Sequence, residues 1–124
     1  MNLPRVLLTS GEHQIQAYVA RSEEERAQGL MFRRDLPTDE GMLFMCDESA
    51  VQKFWMKDTP LPLSIAFLDN DGTILKIADL QPNDLDGESS DHPVRYVLEV
   101  NQGWFDERGI TAGRRITGPV FLAT

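Results

Sequence analysis

The sequence predicts a mainly β fold: a single-domain sandwich or barrel of jelly-roll type over residues 1–124, with one or two short helices. Three observations predict it. Short apolar runs, alternating or continuous, recur along the 124 residues and are separated by Gly, Pro, Asn and Asp clusters. One segment carries a full set of helix start and stop signals, and only a few residues lie between them. The composition is 41% hydrophobic and 26% charged, that of an ordinary globular chain. At this length a compact fold buries roughly two-thirds of the surface its unfolded chain exposes, so no staples are needed.

Val6 to Ser10 is an apolar strand closed by Ser10-Gly11. From His13 to Ala20 the chain alternates, with Ile15, Ala17 and Val19 on one face and Gln14, Gln16 and Tyr18 on the other. This period of two predicts a half-buried strand, and with the first run a hairpin. Ser22 then caps a helix over Glu23 to Gln28. Glu25 stands three residues later to complete a capping box, and Glu23 to Glu25 complement the helix dipole. Gly29 stops the helix.

Leu30 to Asp35 reads as irregular and Leu36 to Gly41 as a turn. Met42 to Cys46 is a continuous apolar run, expected to be buried on both faces. Ser49 to Lys57 is amphipathic and extended. Asp69-Asn70-Asp71-Gly72 is a hairpin turn between Ile65–Leu68 and Thr73–Ala78. Gln81 to Pro93, rich in Pro, Gly and acidic residues, is expected as a long loop. Val94 to Val100 returns to strand, and Gly103 to Arg108 makes one helical turn. Gly113–Ile116 and Pro119–Leu122 close a set of about eight short strands.

Charge limits the partners. Twelve Lys and Arg against twenty Asp and Glu leave a formal charge of −8. Nucleic acid is therefore not expected, because neutralised phosphate supplies most non-specific affinity. The single Cys46 excludes an internal disulfide. No apolar run approaches the roughly 20 residues of a membrane span. With no leader at Met1–Leu8, the chain reads as cytoplasmic as it stands, and as periplasmic or envelope if a leader was removed.

No motif assigns a reaction. Asp69–Gly72 and Asp84–Gly87 look like fragments of a calcium loop. With each glycine at loop position 6, however, the first and last positions fall on Phe67 and Ala78, and on Pro82 and Pro93, none of them a carboxylate. Asp84, Asp86, Glu88 and Asp91 are expected as a solvated acidic loop. Two histidines without metal-ligand spacing give no expectation of a metal, and no cofactor is expected. Cys46 sits in the most apolar run, where burial raises a thiol pKa and makes it inert.

The most informative stretch is Phe54-Trp55-Met56-Lys57-Asp58-Thr59-Pro60-Leu61-Pro62-Leu63. It sets a tryptophan beside a Lys-Asp pair at a proline-fixed bend. If Glu99 and Asn101 fold against that bend, Trp55, Lys57, Asp58, Glu99 and Asn101 line a polar pocket, with Arg26 or Arg33 nearby. Such a pocket suits a small polar or anionic ligand, a glycan among them, held without catalysis. A hydrolase or lyase using Asp58 and Glu99 is the alternative. A protein-interaction module using a strand edge or the 81–93 loop is another. The bland reading leaves Lys57 and Asp58 in turn hydrogen bonds and pairs Glu99 with Arg95 or Arg115.

Several blocks carry a family resemblance. Glu25-Arg26-Ala27-Gln28-Gly29-Leu30-Met31-Phe32-Arg33, Gly41-Met42-Leu43-Phe44, Phe54-Trp55-Met56-Lys57 with Thr59 and Pro62-Leu63, and Tyr96–Val100 through Gly103-Trp104-Phe105 come in order between about Val19 and Ile116. Together they resemble the bacterial and archaeal family called domain of unknown function 192. The resemblance implies a small, mainly β domain and no established activity; many members of the family carry a leader for export or lipid anchoring. This chain departs from the family pattern at Asp58, where Asn is usual, and at Ser64, where Asp is usual. It departs again at Arg114, where the family favours Asp.

Overall fold

A turn at Gly11, whose φ of 60° a residue with a Cβ adopts only under strain, joins β1 (Arg5–Ser10) to β2 (His13–Ala20). Ser10 faces His13 across this hairpin, and the alternation from Ile15 to Val19 buries one face of β2 as expected. The structure, a computed structural model, describes residues 2–121. Next comes α1 (Glu23–Gln28), with its capping box complete. Ser22 Oγ accepts from Glu25 N at 3.1 Å, and the Glu25 carboxylate accepts from Ser22 N at 3.0 Å. Ser22 N and Arg21 N, both donating to the Glu25 carboxylate, hold its carboxyl below its usual range.

The chain then crosses over to β3 (Glu40–Phe54), which lies parallel to β2. A parallel pair needs such a crossover of a dozen residues or more. The remaining strands are β4 (Leu63–Leu68), β5 (Ile74–Leu80) and β6 (Glu88–Asn101), followed by α2 (Trp104–Glu107). They assemble into one mixed sheet in the order β1-β2-β3-β6-β4-β5, and the sheet does not close. The last strand thus inserts into the middle, antiparallel to both β3 and β4.

Both faces of this sheet are covered, which explains the continuous apolar runs of its central strands. On one face Leu43, Ala66, Leu98 and Val100 pack with Leu8, Ile15, Trp104, Phe105 and Ile116. On the other, Met42, Phe44, Ile65, Phe67 and Val97 pack with Leu30, Leu36, Met56 and Leu61. The first face is thus roofed by α2 and the segment after it, the second by the β2–β3 crossover and the bend after β3. Among the described residues no helix is long and apolar enough to cross a membrane.

The mainly β class and its two short helices agree with the sequence. Two elements differ. The expected loop 81–93 is a loop only in its first half, because β6 begins at Glu88 and pairs with Phe54 and Lys53 of β3. Its polar composition conceals a strand whose side chains are satisfied locally. Ser90, fully buried, accepts from Gln52 N at 2.9 Å and donates to His92 O at 2.6 Å. Lys76 Nζ meets Glu88 at 2.9 Å and Asp91 at 2.6 Å. The expected acidic loop is therefore partly an ion-paired strand.

The expected terminal strands are the second difference, leaving six strands among the described residues rather than about eight. Residues 113–117 form a strap held by isolated bridges instead of a ladder. It exchanges bonds of 2.8 Å with Ile74 at the start of β5, and Ile116 N donates to Gly72 O at 2.8 Å. It then exchanges bonds of 2.8–2.9 Å with Thr9 of β1. Pro119–Phe121 is turn and bend, and Leu122 lies outside the described residues. The strap touches both outer strands of the open sheet, which is how a fold read as a sandwich or barrel leaves its ladder unclosed.

Gly72 is where the strap comes closest. Its φ is 90°, and a Cβ there would stand 1.9 Å from Ile116 O. Gly11 has a similar requirement for positive φ, yet a Cβ there meets nothing within 4 Å. In urea denaturation, Gly11→Ala is expected to lose about 1 kcal/mol, the strain of the left-handed region alone. Gly72→Ala is expected to lose about 3 kcal/mol or more, because the strap must also move. Equal losses would show that the strap does not bear on Gly72.

Candidate functional site

Glu99 occupies the centre of β6, with Met42 of β3 opposite it on one side and Ile65 of β4 on the other. Strand parity turns it to the face occupied by Phe44, Phe67 and Val97. The residue is only 4% exposed, and no hydrogen-bond or ion-pair partner meets its carboxyl among the described residues. Burial alone pushes its pKa up, to about 8. Neither expected arginine reaches it. Arg95 Nε donates to Cys46 O at 3.4 Å, and Arg115 Nε donates to Asp71 O at 2.9 Å.

Glu99 forms part of the wall of a cavity of about 250 Å³. The end of α1 and the residues after it supply Arg26, Gly29, Leu30 and Met31. From β3 come Phe44, Cys46, Gln52, Lys53 and Phe54, and from the bend after it Trp55, Met56, Lys57 and Thr59. Glycine is needed at position 29 for a local reason. Its φ of 48° ends the helix, and a Cβ would press within 3.3 Å of the Phe44 ring. The helix end can therefore settle onto β3.

Short backbone bonds fix the two sides of the cavity to each other. Phe32 N donates to Asp58 O at 2.6 Å, tying the segment after α1 to the bend after β3. Met56 N donates to Asp84 O at 2.7 Å and Asn83 N to Thr59 O at 3.0 Å, bracing that bend from behind. Arg26 is oriented by the backbone carbonyls of Arg21 and Met45 and stands 3.8 Å from Asp47. Lys57 Nζ lies 5.5 Å from the centre of the Trp55 ring, and that ring is half exposed. The Cys46 thiol is pushed up by burial, which disfavours the reactive thiolate.

Of the seven residues expected from the sequence to line a pocket, Arg26, Trp55, Lys57 and Glu99 line this cavity. Asp58, Asn101 and Arg33 do not. Asp58 has φ 55°, a left-handed conformation that Asp and Asn tolerate better than most residues, and its hydrogen bond to Phe32 uses its carbonyl. That backbone requirement accounts for Asn or Asp at this position without carboxylate chemistry. The Asn101 amide donates to Leu36 O at 2.8 Å and to Pro37 O at 3.3 Å, pinning the crossover. The Arg33 guanidinium sits 5.9 Å from the Tyr18 ring centre.

Sequence reasoning missed Lys53 as a lining residue. It lies at the end of β3, and Gln52, Phe54 and Met56 line the same cavity, so no alternation in the sequence singled it out. Ser64 lies on the opposite face of the sheet from Glu99, paired with Val100. It donates to Asp79 at 3.0 Å and accepts from Gly103 N at 3.0 Å. Asp58 and Ser64 are therefore not two positions of one carboxylate site. Among the described residues no group of three or more His, Cys, Asp or Glu is placed to hold a metal.

This architecture is shared with known proteins. A crystal structure of a protein from Sinorhizobium meliloti 1021, named as a candidate transcription regulator, is 38% identical and superposes with a TM-score of 0.86 over 92% of each chain. A protein of unknown function from Novosphingobium aromaticivorans DSM 12444 is 33% identical, with a TM-score of 0.84 over 91% of this chain and 83% of its own. Among curated proteins there is no significant match. Residues 6–118, which hold the sheet from Val6 onward, the strap and every wall of the cavity, match the family described as uncharacterized ACR. The chain accordingly belongs to the domain of unknown function 192 family.

Proposed function

We propose that this protein binds a small polar or anionic ligand, without catalysis, in the cavity lined by Glu99, Trp55, Lys57 and Arg26. The observation that carries this reading is the carboxyl of Glu99, a residue 4% exposed that lines the open cavity with no protein partner among the described residues. Burial disfavours its charged form, and a ligand in the cavity would give it a partner. Arg26, Lys53 and Lys57 make the cavity locally positive in a chain of net charge −8. The half-exposed Trp55 ring adds an apolar wall with an N–H donor.

Acid–base catalysis by Asp58 and Glu99 is the weaker reading, because two carboxyls must reach one substrate and Asp58 does not line the cavity. An interaction loop at 81–93 is likewise disfavoured, since its second half is already bound into the sheet. The excess of acidic residues also disfavours nucleic acid.

The binding reading is tested by nitrogen–proton NMR titration with phosphate, small carboxylates, monosaccharides and amino acids. Shifts are expected at the Trp55 indole and around Glu99. Lys57→Ala is expected to weaken an anionic hit about 3–10-fold, the scale of one exposed charge. No shifts with any compound, or equal affinity in Lys57→Ala and Trp55→Ala, would overturn it.

The state of Glu99 is testable without a ligand. Its ordinary pKa is 4.5 and its folded value about 8, so between these the folded chain keeps a proton that the unfolded chain has lost. Stability is therefore expected to fall as pH rises across this window, by at most about 1.4 kcal/mol per pH unit and about 5 kcal/mol in total. Below pH 4.5 the penalty is absent. Glu99→Gln is expected to flatten that slope and to be more stable than wild type at pH 9. Parallel curves for the two proteins would show that Glu99 is not held neutral.

A further inference from the structure

The charges around the cavity have an order. Its one carboxyl, Glu99, is the buried group, whereas Arg26, Lys53 and Lys57 are partly or fully exposed. None of these three cations forms an ion pair with Glu99 among the described residues. The site thus holds an acid at depth and cations toward solvent. We infer that the ligand is a small zwitterion, an α-amino acid or a compound of the same charge layout. Its ammonium would sit on Glu99 and its anionic end among Arg26, Lys53 and Lys57; this rests on the binding reading above.

The groups around Glu99 favour a cation there over an anion. On β3 and β4 its neighbours are Met42 and Ile65, and on β6 itself Val97. Asn101, two residues on, is committed to Leu36 and Pro37. The titratable or charged groups that line the cavity with it are Arg26 after the helix cap, Cys46 and Lys53 of β3, and Lys57 of the bend. An ammonium placed among these apolar neighbours gains a charge-assisted bond in a medium where water does not weaken it. An anion alone would meet Arg26 and the lysines but leave Glu99 unsatisfied.

Pairing with an ammonium requires the Glu99 carboxyl to give its proton to solvent. The ligand nitrogen stays protonated throughout, so one hydrogen ion leaves for each molecule bound. Near pH 7, where burial keeps Glu99 mostly neutral, release should approach one proton.

The test is calorimetric titration of the full chain with the twenty free α-amino acids, in buffers of low and high ionisation enthalpy. The tightest is then repeated as its N-acetyl derivative and as its methyl ester. At least one amino acid is expected to bind with release of close to one proton, and each derivative to lose 10-fold or more in affinity. Glu99→Gln, confirmed folded by NMR, is expected to release none. Binding of phosphate, carboxylates or N-acetyl compounds as tight as the free amino acid, without proton release, would overturn the zwitterion and leave the binding reading intact. Binding of nothing, sugars and anions included, would overturn both.

Discussion

The structure depends on one constraint: β6, the last strand along the chain, is hydrogen-bonded along both edges and covered on both faces. β3 and β4, consecutive along the chain, are joined in the sheet only through this strand. Its inner residues Val97, Leu98 and Val100 are fully buried. A slip of one residue would exchange the two apolar clusters and turn Glu99 toward the roof made by α2. Register is therefore fixed by hydrophobic burial on two sides, and a carboxyl in the middle of such a strand has no route to bulk water except a cavity. The site exists because the covering layer on one face, the crossover from α1 and the bend after β3, does not fill the space above Glu99.

That covering layer is held by the backbone more than by side chains. Asp58 and Gly29 both adopt positive φ, one offering a carbonyl to the opposite wall and the other letting the helix end approach Phe44. The cations around the opening are then set on elements that cannot easily separate. Arg26 is held by carbonyls of its own helix start and of β3, and Lys57 lies near the Trp55 ring. A site with positioned charges and a braced frame suits a small ligand with little loop rearrangement.

Much of this was legible in the sequence, and the illegible parts share a physical reason. Local signals were read correctly: the Ser22–Glu25 capping box, the alternation from Ile15 to Val19, and the Asp69–Gly72 turn depend on neighbours a few residues away. The first half of β6 was hidden because Ser89 and Ser90 carry no apolar pattern, and their strand character comes from pairing with a segment more than thirty residues upstream. The strap at 113–117 was over-read as a strand, since isolated bridges leave no period in the sequence. In the site, the bend after β3 brings Trp55 and Lys57 to the cavity, and the parity of β6 turns Glu99 toward it. Asp58 was misplaced because its left-handed backbone serves the turn, and Asn101 because an amide side chain serves a backbone as readily as a ligand.

The strap has a consequence for assembly. Open sheets carry two rows of unmatched amide and carbonyl groups that can recruit foreign chains. Here one five-residue stretch occupies part of both rows at once, at Thr9 and at Ile74. Detaching it would expose two complementary borders on every molecule, and molecules with two such borders polymerise instead of merely pairing. The cover over these borders thus leans on a segment that contributes no strand of its own.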